Sequence, residues 1–389
     1  MTKGTKIEKE MNGEKDEWVV LPEKEREAWI SRVRKSLLAW YEENKRPIPW
    51  RLNPTPYFVW LGEIMAQQTR IAAVLPYYER FLQRFPTIRA LTDAPLDDVL
   101  KQWQGLGYYS RARNLHRAAQ MVETQFGGIF PSRFADCLIL PGVGPYTAAA
   151  IASIVAGERV AAVDGNALRV VSRIFGLWGD ITQAASKRRV ADIQTELLPI
   201  EEAGKGNQAV MELGALCCLP TQPHCEECPA TPCKAKKEGW VNQLPVKARK
   251  AKPTRIHRAV AILRADDGRY LMRKRPEALL HGLWEFPGFE CKKKDEVSAL
   301  QSGLAELGVQ VQGIQKDIRA EHVFSHRIWE MQGYRCETAV VDLPPDYRWV
   351  SLEEMNRLAI PRAVEAFRWA LQGEADDDEQ KEGFHGRNS

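Results

Sequence analysis

Four cysteines crowd one short stretch, Cys218, Cys225, Cys228 and Cys233, separated by six, two and four residues with prolines among them. Thiols spaced this densely suit one tetrathiolate metal site better than four independent core residues, so the chain must wrap around a metal here. Spacing alone does not separate zinc from an iron-sulfur cluster. The neighbouring Cys217 reads as a core residue. The charged start of the chain has no apolar signal segment and no apolar run approaches a membrane span, so an intracellular chain without a membrane partner is expected.

Upstream of the cysteines the apolar pattern is helical. Trp29, Val33, Leu37 and Trp40 mark a helix over Trp29 to Tyr41, and Trp60, Ile64 and Ile71 mark another over Tyr57 to Leu75. Helical patterns continue through Phe81 to Gln125 and Leu168 to Cys217, with no alternating strand before Arg255, which predicts an all-helical first domain. Within it, Leu140 to Asn166 reads LPGVGPYTAAAIASIVAGERVAAVDGN. Gly142, Val143 and Gly144, followed by Pro145, predict a tight hairpin between helices, the second running from Thr147 to Ala156. Backbone N-H groups at such a turn suit a phosphate oxygen. Asp164, before Gly165 and Asn166, has the position of a helix N-cap, which is also its plainest reading.

Other polar residues stand out against this helical background. Glu63 lies beside an apolar stripe, where partial burial would raise its pKa and keep it protonated for general-acid work. Gln68 and Thr69 follow in a polar cluster. Arg46, Trp50 and Arg51 sit in a proline-stiffened segment able to meet bases or phosphates, and Leu106 and Tyr108 lie in a Gly-flanked loop before Arg111 and Arg113, suited to an apolar wedge entering a base stack.

Five segments follow from composition and period. Residues 1-24 are expected to be a disordered leader and 25-233 the helical domain, its cysteine loop at 218-233. Residues 234-256 form a basic linker, with nine Lys or Arg between Lys234 and Arg258 against one acid, Glu238. From 257 to 372 the pattern alternates, with strands over Arg258 to Leu263 and Tyr270 to Arg273, a helix over Asp295 to Leu307, and strands near Ile318 to Phe324 and Met331 to Thr338. Residues 373-389 are expected to be an acidic disordered tail.

The hairpin, Asp164 and the stretch from Trp60 to Thr69 resemble the endonuclease III family of helix-hairpin-helix DNA glycosylases. That resemblance implies a structural [4Fe-4S] cluster on Cys218, Cys225, Cys228 and Cys233, supporting a DNA-contacting loop. The family's last cysteine interval is five residues; here it is four, with every ligand present. The segment from His281 to Gly288 and the strands around it resemble an α+β Nudix-type fold. Its acidic metal-binding box falls on Gln301 to Glu306, where only Glu306 is acidic, so a nucleotide pyrophosphohydrolase is not expected.

Together the two parts, over roughly residues 27 to 372, resemble MutY-type adenine glycosylases. The resemblance implies a monomeric base-excision-repair enzyme of the bacterial cytoplasm, on the nucleoid through its DNA. Its substrate would be double-stranded DNA with adenine mispaired with 8-oxoguanine or guanine, and its action would prevent G:C to T:A transversions. By motif, Glu63 and Asp164 would be catalytic, with Tyr146 and Asn166 beside them. Arg46, Trp50, Arg51 and Gln208 would line or support the base pocket. Gln68, Thr69, Leu106 and Tyr108 would face the gap and the opposing base, which Phe324, Ser325 and His326 would read. Bifunctional relatives carry a lysine where Tyr146 stands, so hydrolysis without strong lyase activity is expected. A non-catalytic DNA-binding or redox protein is disfavoured by the joint presence of Glu63 and Asp164. A thymine- or damaged-pyrimidine-specific glycosylase is disfavoured by the appended second domain.

Overall fold

A computed structural model of the protein describes residues 21-248 and 252-372. The expected leader up to residue 20, linker residues 249-251 and the tail from 373 lie outside the described residues. The chain forms two compact units. Of the described residues, the first takes in 21-74, Thr87–Thr92 and 117-248; the second takes in Leu75–Pro86, Asp93–His116 and 252-372. Two helical pieces from the N-terminal half thus belong with the C-terminal unit.

The first unit is built of helices, and among the described residues no strand precedes Thr254. Its first helix among the described residues, Glu23–Asn44, begins inside the segment expected as leader and buries Ile30, Val33, Leu37 and Tyr41. That stripe meets Val170, Val171 and Ile174 of the Gly165–Phe175 helix and Val210 and Leu213 of the Ala203–Leu216 helix in one core. Gly176, at φ 68°, ends the Gly165–Phe175 helix in the left-handed conformation glycine tolerates best.

The single helix expected over Tyr57 to Leu75 is two. Pro56–Ala66 starts with Pro56 in its first turn and Thr55 accepting from the Phe58 amide, then stops; Ile71–Arg84 follows. The break falls at Gln68, whose φ of 55° no helix accommodates. A non-glycine residue held there costs about 1 kcal/mol, and apolar spacing carries no trace of it.

The second unit holds a mixed sheet. Its central strand β1 (Thr254–Ala265) runs parallel to β6 (Arg327–Thr338) over its whole length, from Thr254 opposite Arg327 to Ala265 opposite Thr338. The order is β3 (Trp284–Glu285), β2 (Tyr270–Lys274), β1, β6, β5 (Gln312–Val323); β4 (Gly288–Glu290) pairs with β1 and β7 (Tyr347–Val350) with β2. Both sheet faces are covered. Ala259, Ala261 and Leu263 pack on Leu300 and Leu304 of the Glu296–Glu306 helix, while Val260 and Ile262 join Phe286, Trp329 and Phe367 on the other side. This alternation is what the period-two pattern after Arg255 anticipates. No helix among the described residues is long and apolar enough to cross a membrane.

Candidate active site

Glu63 is carried into the first unit's interior by the Pro56–Ala66 helix and is 7% exposed. Each carboxylate oxygen accepts one bond: Oε1 from Trp50 Nε1 at 3.1 Å, Oε2 from the Tyr146 hydroxyl at 2.7 Å. The neighbouring residue makes this reachable. A Cβ on Gly62 would stand 2.2 Å from Trp50 Cδ2, so only glycine leaves room for the indole. Burial pushes the Glu63 pKa up, against the Tyr146 bond, the Arg51 charge and the Trp50 bond; the Asp164 charge adds to the rise. The net direction is upward, as a general acid requires. Burial and the facing Glu63 hold the Tyr146 phenol neutral.

Asp164 is the N-cap of Gly165–Phe175, as its sequence position predicts. Oδ1 accepts from the Ala167 amide at 2.7 Å and Oδ2 from Asn166 Nδ2 at 2.8 Å. The Asn166 amide is oriented in turn, because its Oδ1 accepts from Arg169 Nη2 at 2.8 Å. Burial pushes the Asp164 pKa up as well, while the Ala167 amide, Asn166 and the Arg169 charge pull it back toward the anion. The loop entering Asp164 hangs on Asn207, whose amide is fully used. Nδ2 donates to Ser153 Oγ at 2.9 Å and the Val160 carbonyl at 2.8 Å; Oδ1 accepts from the Ala162 amide and Gln194 Nε2, both at 2.9 Å.

The arginines of the proline-stiffened segment converge on a carboxylate the sequence reading missed. Glu212 has no exposure; Arg51 Nη1 lies 2.6 Å and Arg46 Nη2 3.0 Å from its Oε2, and the Arg46 amide donates to Oε1 at 3.1 Å. Burial alone would raise the Glu212 pKa, but the Arg46 bond and the Arg51 charge carry it below the usual carboxylate value. Two cations in one segment call for a buried counter-charge, the one available clue. Gln208, one turn earlier, accepts from the Tyr41 hydroxyl at 2.6 Å.

The hairpin forms as expected: Gly142 takes φ 79°, Gly144 caps the Pro145–Val155 helix, and both glycines are exposed while Val143 is buried. Gln68 is exposed and Thr69 half-buried. In the second unit the expected wedge is divided, with Tyr108 47% exposed and Leu106 only 7%. Phe324 to Arg327 form the tight turn between β5 and β6, closed by the Phe324 amide on the Arg327 carbonyl at 2.8 Å. Phe324 turns inward, its ring 4.9 Å from Trp329, and leaves Ser325 and His326 exposed.

Cys218, Cys225, Cys228 and Cys233 all line one cavity of about 580 Å³, so the shortened last interval still delivers every thiol. Burial raises the Cys225, Cys228 and Cys233 thiols, the last to about 11. Among the described residues no three His, Cys, Asp or Glu side chains gather as around a single ion. The donor set, four soft ligands around a roomy cavity, fits a multi-iron cluster. Arg173 Nη1 reaches Cys218 Sγ at 3.4 Å and the Leu219 carbonyl at 2.6 Å, and Arg169 Nε holds the Cys218 carbonyl at 2.7 Å. The helix that Asp164 caps therefore also carries the residues that brace the cysteine loop.

A buried acid facing a helix-capping aspartate, behind a glycine hairpin, is the arrangement of a base-excision DNA glycosylase. Residues 61–194 match the HhH-GPD superfamily of base excision DNA repair proteins and residues 259–368 match the NUDIX domain. Over 336 residues the chain is 32% identical to the adenine DNA glycosylase of Buchnera aphidicola (subsp. Acyrthosiphon pisum), covering 85% of this chain and 94% of that one. It is also 32% identical to the adenine DNA glycosylase of Homo sapiens, over 89% of this chain and 75% of that one. The chain belongs to the adenine DNA glycosylases. Among solved structures, a thermostable thymine-DNA glycosylase is 26% identical with a TM-score of 0.49, over 54% of this chain and 98% of that one.

Proposed function

We propose that this adenine DNA glycosylase acts on duplex DNA in which adenine is mispaired with 8-oxoguanine or guanine, as a monofunctional hydrolase. The observation that carries the chemistry is Glu63, buried, raised in pKa and bonded to Tyr146 and Trp50 within the field of Asp164. Adenine leaves poorly until protonated, and Glu63 is the acid that delivers a proton to N7 of the extruded base. The resulting carboxylate then activates water. Asp164, whose bonds from the Ala167 amide and Asn166 favour its anionic form against the effect of burial, stabilises the oxocarbenium-like sugar. Tyr146 occupies the position from which a lysine would form a Schiff base, so strand cleavage does not follow base loss.

The opposing base would be read in the second domain, by the exposed Ser325 and His326 at the β5-β6 turn. 8-Oxoguanine differs from guanine by an N7 hydrogen and an O8 oxygen, and a hydroxyl can accept from one and donate to the other. The helical domain over 25-233 and the reader over 257-372 thereby divide the work. Cys218, Cys225, Cys228 and Cys233 would hold a [4Fe-4S] cluster, which supplies a structural brace for the surrounding loop. Arg169 and Arg173 keep that loop against the helix that Asp164 caps.

The test is single-turnover base release from duplexes with adenine opposite 8-oxoguanine, guanine, cytosine or thymine, with Asp164→Asn alongside. Release confined to the first two partners and lost in the variant is expected. Binding to every duplex without release would overturn the reading.

A further inference from the structure

Within the second unit, the loop carrying Tyr108 is tied to the sheet domain at several points. Lys101, at the end of Leu96–Gln102, donates to the carbonyls of Asn356 and Leu358, the latter at 3.1 Å. These carbonyls lie at the C-terminal end of the Leu352–Arg357 helix, where unpaired acceptors and the helix dipole favour an ammonium. Gln104 Nε2 donates to Glu365 Oε1 at 3.2 Å, Arg113 Nη1 to the His281 carbonyl at 2.6 Å, and Lys274 Nζ pairs with Asp97 at 2.9 Å. Between these anchors the loop braces itself. Trp103 Nε1 and Arg111 Nη2 both donate to the Gly107 carbonyl, and the Gly105 amide donates to the Tyr109 hydroxyl.

The outcome is a contact between two exposed side chains far apart in sequence: the Tyr108 hydroxyl lies 3.3 Å from Ser325 Oγ. Tyr108 is held at φ 49°, a conformation a free loop would relax. We propose that Lys101 and Gln104 are positioning residues for opposing-base preference: they lock the 103-109 loop to the C-terminal domain, so that Tyr108 and Ser325 meet the base opposite adenine as one surface. This rests on the substrate reading above. The hydrogen bonding is selective. When the Tyr108 proton points at Ser325, the Ser325 proton is free for O8, and its second lone pair is free for the N7 hydrogen. Guanine lacks both O8 and the N7 hydrogen and offers Ser325 only its bare N7 as an acceptor, so discrimination depends on both hydroxyls being held in register. Displacement of about 1 Å is enough to lose a large factor in rate.

The experiment compares single-turnover adenine release opposite 8-oxoguanine and opposite guanine for the full chain and for Lys101→Met, Lys101→Arg and Gln104→Leu. Lys101→Met is expected to lower the ratio of the two rates about tenfold, chiefly in the 8-oxoguanine arm. Lys101→Arg, which still donates to both carbonyls, should restore it, and Gln104→Leu should move it the same way by a smaller factor. A wild-type ratio in both folded variants, or equal losses in both arms, would overturn the positioning role and leave the substrate reading intact. If Lys101→Met fails to fold, Gln104→Leu decides. No preference in the wild type would overturn both.

Discussion

The Tyr146 hydroxyl donates to Glu63 Oε2 at 2.7 Å from a residue 83 positions away, and this bond opposes the burial that keeps Glu63 protonated. The proposed general acid is thus tuned by a neutral donor. Removing the donor should raise the Glu63 pKa further. Base release falls as pH rises through that pKa, so Tyr146→Phe should shift the descending limb of the pH-rate profile to higher pH. The check is single-turnover release across pH, and a shift to lower pH would contradict the assignment.

Asp164 carries the opposite dependence. In the proposed mechanism it acts as an anion, so release should rise with pH through its pKa, and Asn166 lowers that pKa by donating to Oδ2. Asn166→Ala should therefore move the ascending limb to higher pH and slow release below it. An unmoved limb would show that Asn166 does not hold the carboxylate.

Gly62→Ala asks whether the Trp50 contact matters. The added methyl would overlap the indole, Trp50 would shift, and its bond to Glu63 would break. Release should drop about 100-fold, with about 1–3 kcal/mol lost from stability through overpacking. Full activity with a lowered melting temperature would separate packing from catalysis.

Glu212→Gln leaves Arg51 and Arg46 without their shared counter-charge. Arg46 is about a third exposed and solvent-screened, so the loss should sit near the low end for a broken buried pair, about 3 kcal/mol. Urea unfolding measures it. Because burial is outweighed by the two arginines and the folded Glu212 pKa is lowered, the pair's contribution is present above the unfolded carboxylate pKa and is lost as pH falls through the folded one.

Cys218 to Cys233, Asp164 and the glycine hairpin were legible because each is local: a spacing, a cap, a turn. The change from helical to alternating period placed the sheet for the same reason, since burial on two faces imposes a repeat on neighbouring residues. Glu212 was not legible, because it works through Arg46 and Arg51 more than 160 residues away and sits in a helix where a glutamate is unremarkable. Asn207 was hidden likewise, its four partners spread over Ser153, Val160, Ala162 and Gln194. The break at Gln68 escaped because a left-handed glutamine leaves the apolar spacing on either side intact. Membership of residues 93-116 in the C-terminal unit is likewise a matter of long-range contacts that periodicity does not record.

The full-length parallel match of β1 with β6 bears on how the protein is made. β1 leaves the ribosome well before its principal partner, with Val260, Ile262 and Leu263 meant for two opposite buried faces and neither yet available. Until residue 338 has been synthesised, this strand is an apolar edge waiting for a match. Closing that long interval should make completion of the C-terminal domain slow relative to the helical part. Nascent chains stalled between β1 and β6 should therefore be the species that chaperones bind most and that aggregate first.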